Sequence, residues 1–183
     1  MTAPAQPAGR APASSPAPSP GASLDVAAGP PAAAAPDGQA TLIDRLSAAK
    51  AASSYQGLID LVPYARFLGL TAAMHGDELI TTMRFSHHLI GNASLPALHG
   101  GTLGALLESA AIFELLWRAE TIVLPKTITL TVDYLRPGAP ADTHAVGVVT
   151  RQGRRVTNVR MEAWQADRKV PVATAHAIFL VMR

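Results

Sequence analysis

Between Thr102 and Phe113 every position is apolar or small except one, Glu108. Eleven such residues in twelve positions require a helix packed against something larger, and no other segment of the chain repeats the pattern. "TITLTVDYL" changes to period two soon after. Thr127, Thr129, Thr131 and Asp133 alternate there with Ile128, Leu130, Val132 and Tyr134, which predicts a strand with one polar and one apolar face. "THAVGVVTR", "RVTNVRMEAWQ" and "VPVATAHAIFLVMR" read as three further strands. Upstream, "FLGLTAAMHGDELITTMRF" reads as two strands turned at Gly76-Asp77. "SHHLIGNASLPAL" between them and the helix reads as a loop. The order predicts an α+β domain: one long helix, roughly Gly100 to Ala119, on an antiparallel sheet of about six strands. The last four strands are expected to follow one another as hairpins.

Ahead of this lies a short N-terminal helical segment, residues 41–62, with Leu42, Ile43 and Leu46 at helical spacing, Thr41 as cap and an end near Pro63. Residues 1–40 hold 9 of the 15 prolines and three charged side chains, Arg10, Asp25 and Asp37. That composition offers no large side chains to bury and predicts a disordered tail. Residues 63–183 then form the main domain. There is no cysteine and the net charge is +2, which excludes thiolate chemistry and argues against a nucleic-acid surface. No apolar run reaches the length of about 18 residues needed to cross a membrane, and a cytoplasmic location is the expectation. The six histidines have no metal-ligand spacing, so no metal is expected.

The chemistry concentrates at the helix. "HGG" leaves the first helical N–H groups unobstructed, and free amides at the positive end of a helix stabilise an anion. Held against an attacked carbonyl, they form an oxyanion hole. Glu108 lies eight residues beyond Gly100, about 12 Å of helical rise, too far for both to reach one carbon. A site using both groups therefore needs two copies of the helix, which predicts a two-fold oligomer. The plainer alternative is that Glu108 is a buried carboxylate with structural partners and that the glycines serve close packing. Glu114 and Arg118, four apart, read as an exposed helix-supporting ion pair.

"HGG", six residues, then an acid, within a strand–strand–helix–four-strand order, resembles PaaI-type hotdog-fold acyl-CoA thioesterases over about residues 60–183. The resemblance implies a hotdog fold and acyl-CoA as substrate, with no cofactor beyond the CoA that the substrate carries. It makes Gly100 the oxyanion donor and Glu108 the base or nucleophile. Asn92 would orient water or thioester, and His99 would be structural or position the thioester. Thr127 matches a Ser or Thr that opens the strand after the helix. Gly101, Arg136 in "YLRP" and the hairpin residues Arg151, Arg154 and Arg155 fall where CoA is met. A homodimer or dimer of dimers is implied. Two other activities share the fold: a 3-hydroxyacyl-thioester dehydratase and a non-catalytic acyl-thioester-binding subunit.

Overall fold

The computed structural model describes residues 41–119 and 123–181, so the expected tail lies outside the described residues. Three short helices open the chain: α1 (Leu42–Ala51), α2 (Tyr55–Asp60) and α3 (Pro63–Phe67). Thr41 and Asp44 cap α1 reciprocally, each side chain accepting the other's backbone N–H. The α3 turn was not expected. Pro63 begins it rather than ending α2, because a proline at the first helical position lacks only an N–H that has no helical partner there.

Strands β1 (Leu70–His75) and β2 (Glu78–Met83) form the expected hairpin. The segment read as a loop carries instead a 3₁₀ turn at His87–Leu89 and a small hairpin, β3 (Ile90–Asn92) with β4 (Ala97–Leu98). Helix α4 (Gly100–Arg118) follows, then β5 (Lys126–Tyr134), β6 (Thr143–Gln152), β7 (Val156–Trp164) and β8 (Ala173–Leu180). Six of the strands form one antiparallel sheet in the order β1-β2-β6-β7-β8-β5.

That order corrects one expectation. β6, β7 and β8 are joined by hairpins, but β5 does not pair with β6. It pairs with β8, and residues 135–142 cross to the middle of the sheet. The Gln165 side chain ties this crossover down, bonding the backbone of Ala139 and Ala141. One consequence governs the site: β5 is an edge strand, and its outer side has no neighbour among the described residues.

Alternation along β7 and β8 turns Val159, Met161, Ala175, Ala177 and Phe179 toward α4, which answers with Leu103, Leu106, Leu107, Ala110 and Phe113. Small residues on the strands let the helix lie close. Each fully buried leucine contributes about 2 kcal/mol. At the far end of α4, the Lys50 ammonium donates to the carbonyls of Leu116 and Ala119, a cation at the negative end of the helix dipole. Burial pulls that ammonium below the usual lysine range. Among the described residues no helix is long and apolar enough to cross a membrane.

Candidate active site

The N-terminus of α4 is held from three sides. His99 caps it: Nδ1 accepts the Gly101 N–H at 2.9 Å, so the neutral ring carries its proton on Nε2. The His99 N–H donates to the Leu89 carbonyl at 2.8 Å, fixing the residue to the preceding turn. Gly91 makes that approach possible, because a Cβ there would stand 2.7 Å from the His99 Cα. On the third side the Tyr134 hydroxyl donates to the Gly100 carbonyl at 2.9 Å. The Gly101 amide is thus committed to His99, whereas the Gly100 N–H has no acceptor among the described residues.

Glu108 is not the buried carboxylate that its neighbours in sequence suggest. It belongs to a half-exposed stripe with Ala105, Ile112 and Leu115, on the side of α4 that the sheet leaves open. The buried carboxylate is Glu114, 4% exposed, and its expected exposure is corrected. Glu114 follows Leu103, Leu107 and Ala110 around the helix and so turns into the core. The expected pair with Arg118 is present, Arg118 Nε donating to Oε1, while Oε2 has no partner among the described residues.

One oxygen of Glu108 accepts a 2.7 Å hydrogen bond from Thr127 Oγ1. Simple alternation would turn Thr127 away from the helix, with Thr129 and Thr131. A bulge intervenes: Thr127 pairs with Phe179 but Thr129 with Ile178, so Ile128 is an extra residue. The inserted residue returns Thr127 to the face of Val132 and Tyr134, where it meets Glu108. This corrects the alternation read along the strand, and it joins two of the expected site residues.

The other candidates are dispersed. Asn92 pairs with Ala97 across the β3–β4 hairpin, and its Oδ1 accepts the N–H groups of Ser94 and Leu95, closing the hairpin turn. Arg136 lies just past Tyr134, at the end of the sheet where Tyr134 pairs with Ala173. The 153–155 turn, with Arg154 and Arg155, lies at the opposite end, where Val156 and Lys126 both pair with Leu180. Eight strand steps, roughly 26 Å, separate the two ends. Arg136 and the Arg151, Arg154 and Arg155 hairpin therefore do not share a place within one protomer. Sequence reasoning missed Gly91, read only as a loop breaker, and Tyr134, read only as a strand residue.

One helix laid across a six-stranded antiparallel sheet, its glycine-led N-terminus open and a carboxylate on its free side, is the hotdog architecture of thioester hydrolases. Comparison with known proteins carries this to the family. The model of the acyl-CoA thioesterase N-terminal domain matches residues 91–180, which begin at Gly91 and include every site residue discussed above. The medium/long-chain acyl-CoA thioesterase YigI of Salmonella typhimurium is 30% identical over 135 residues, covering 66% of this chain and 86% of its own. A protein of known structure from Chromobacterium violaceum is 38% identical with a TM-score of 0.64, covering 76% of this chain and 97% of its own. A phenylacetic acid degradation-related protein from Ralstonia eutropha JMP134 is 27% identical with a TM-score of 0.59, covering 66% and 91%. The chain belongs to the hotdog-fold acyl-CoA thioesterases and is a thioester hydrolase.

Proposed function

We propose that the protein hydrolyses medium- or long-chain acyl-CoA in a site shared by two protomers, with Glu108 as base or nucleophile and the Gly100 amide as oxyanion donor. The observation that carries this reading is the Thr127–Glu108 hydrogen bond. It holds the carboxylate on the open side of α4 and leaves the second oxygen free to act. With Glu108 as base, the carboxylate takes a proton from water while the water oxygen bonds to the thioester carbon. The carbonyl oxygen becomes an oxyanion facing the Gly100 N–H. Collapse re-forms the carbonyl and breaks the C–S bond, and the CoA thiolate leaves and takes up a proton. With Glu108 as nucleophile, a mixed anhydride forms first and water then hydrolyses it. Neither route requires a metal or redox group. The acyl preference is supported by the names of the YigI relatives and by the apolar positions Ala105, Ile112 and Leu115 flanking Glu108 on the open stripe of α4.

The helix rise and the free edge of β5 support the second protomer. Antiparallel pairing of β5 with its own copy about the middle of the strand lays the Thr127 end of one protomer beside the Tyr134 end of the other. Glu108 of one chain then approaches Gly100 of its partner, twice over. The same operation carries Arg136 of one protomer toward Lys126 and the Arg154, Arg155 turn of the other, which supports a joint contact with CoA phosphates. Exposed Ile128 (53%) and Tyr134 (54%) on this edge are apolar surface that pairing would cover. Sedimentation at assay concentration is expected to give a dimer or a multiple of it; an active monomer rejects the shared site. A panel of saturated and 3-hydroxyacyl CoA esters followed with a thiol-detecting dye tests the reaction. Thiol release is expected. Loss of water without thiol identifies a dehydratase, and absence of both identifies a binding subunit.

A further inference from the structure

Two consecutive glycines open α4, and glycine has the widest backbone freedom of any residue, so an amide carried there points in one direction only if something holds it. The preceding peptide is held by the His99 N–H on the Leu89 carbonyl, and the following N–H by His99 Nδ1. The His99 carbonyl, which shares a peptide plane with the Gly100 N–H, accepts the Thr102 N–H and hydroxyl, and on the other side of the residue the Gly100 carbonyl accepts the Tyr134 hydroxyl. The fit is close. A Cβ on Gly100 would stand 3.2 Å from the Tyr134 ring, and one on Gly104, a turn later, 3.6 Å from the Tyr134 hydroxyl oxygen. The two glycines thus clear a seat on α4 for this side chain. Within one protomer Tyr134 is exposed, so burial in that protomer's core does not explain the seat.

We propose that Tyr134 is a positioning residue for the oxyanion donor: its hydroxyl locks the Gly100 carbonyl so that the Gly100 N–H faces the thioester carbonyl. The role rests on the reading of Gly100 as that donor. It predicts an effect on carbonyl recognition and turnover, separate from CoA binding and from stability.

The test uses Tyr134→Phe, which keeps the ring on both glycines and removes the hydroxyl, with Tyr134→Leu as a second variant. Turnover is expected to fall about tenfold, the effect of one hydrogen bond realised in the transition state, with KM within about twofold. Two inhibitors separate positioning from structure. One is an S-(2-oxoalkyl)-CoA, which presents a carbonyl but cannot be cleaved. The other is the S-alkyl-CoA of equal length, which has none. The wild-type protein is expected to favour the ketone, and both folded variants to lose most of that preference while binding the thioether as before. Retained preference and turnover in both variants overturn the role of Tyr134 and leave the Gly100 reading standing. Equal losses for both inhibitors make Tyr134 merely structural, which also overturns the proposal. A wild-type protein without ketone preference overturns the Gly100 reading itself, and this role with it.

Discussion

Glu108→Gln is expected to lower turnover by about two to four orders of magnitude, the scale of a lost general base, in a protein that still folds. The carboxamide oxygen can still accept from Thr127, so the 2.7 Å contact to α4 survives in kind. What disappears is the capacity to take a proton or form an anhydride at neutral pH. Because Glu108 is half-exposed, removing its charge is expected to leave the melting temperature nearly unchanged. Single-turnover thiol release with purified protein, beside a thermal melt, checks both halves. A folded variant with undiminished thiol release sinks the mechanism. Glu114→Gln is no neutral control: that carboxylate is buried and bonded by Arg118, so its loss acts on packing.

Gly91→Ala is expected to lower turnover by about a hundredfold, the cost of displacing a catalytic group by about an ångström. The added methyl would sit 2.7 Å from the His99 Cα, and a backbone atom cannot swing aside as the end of a side chain does. His99 must move, and with it the cap, the Gly101 amide and the start of α4. Overpacking of this kind costs about 1–3 kcal/mol, which lowers the melting temperature by several degrees. The diagnostic outcome is that activity falls far more than the folded fraction does. Wild-type kinetics in Gly91→Ala would mean that the hairpin yields instead and that the donor is not held from this side.

The parts of the fold that depend on local periodicity were legible. The long helix, the β1–β2 hairpin and, apart from the bulge in β5, the polar and apolar alternation of the later strands follow from spacing alone. Strand adjacency did not follow. The placement of β5 beside β8 depends on pairing between residues some fifty positions apart, and the "PGAPAD" turn chemistry suits a crossover as well as a hairpin. The burial of Glu114 was readable in principle, since it continues the line of Leu103, Leu107 and Ala110. Its proximity to Arg118 suggested a surface pair because ion pairs four apart are usually solvated. At the candidate site the motif pointed to Gly100, Glu108 and Thr127, but not to the contacts that hold the start of α4. Tyr134 and Gly91 meet the start of α4 by close approach, which spacing along the chain does not reveal.

The extra residue in β5 makes the carboxylate's partner a matter of phase. Thr127 and Val132 are five positions apart, so a regular strand would turn Thr127 to the opposite face and leave Glu108 without its donor, whereas the bulge at Ile128 keeps the two on one face. Residue identity along β5 therefore does not tell which face Thr127 takes; that information lies in the local backbone, where one residue stands outside the pairing with β8.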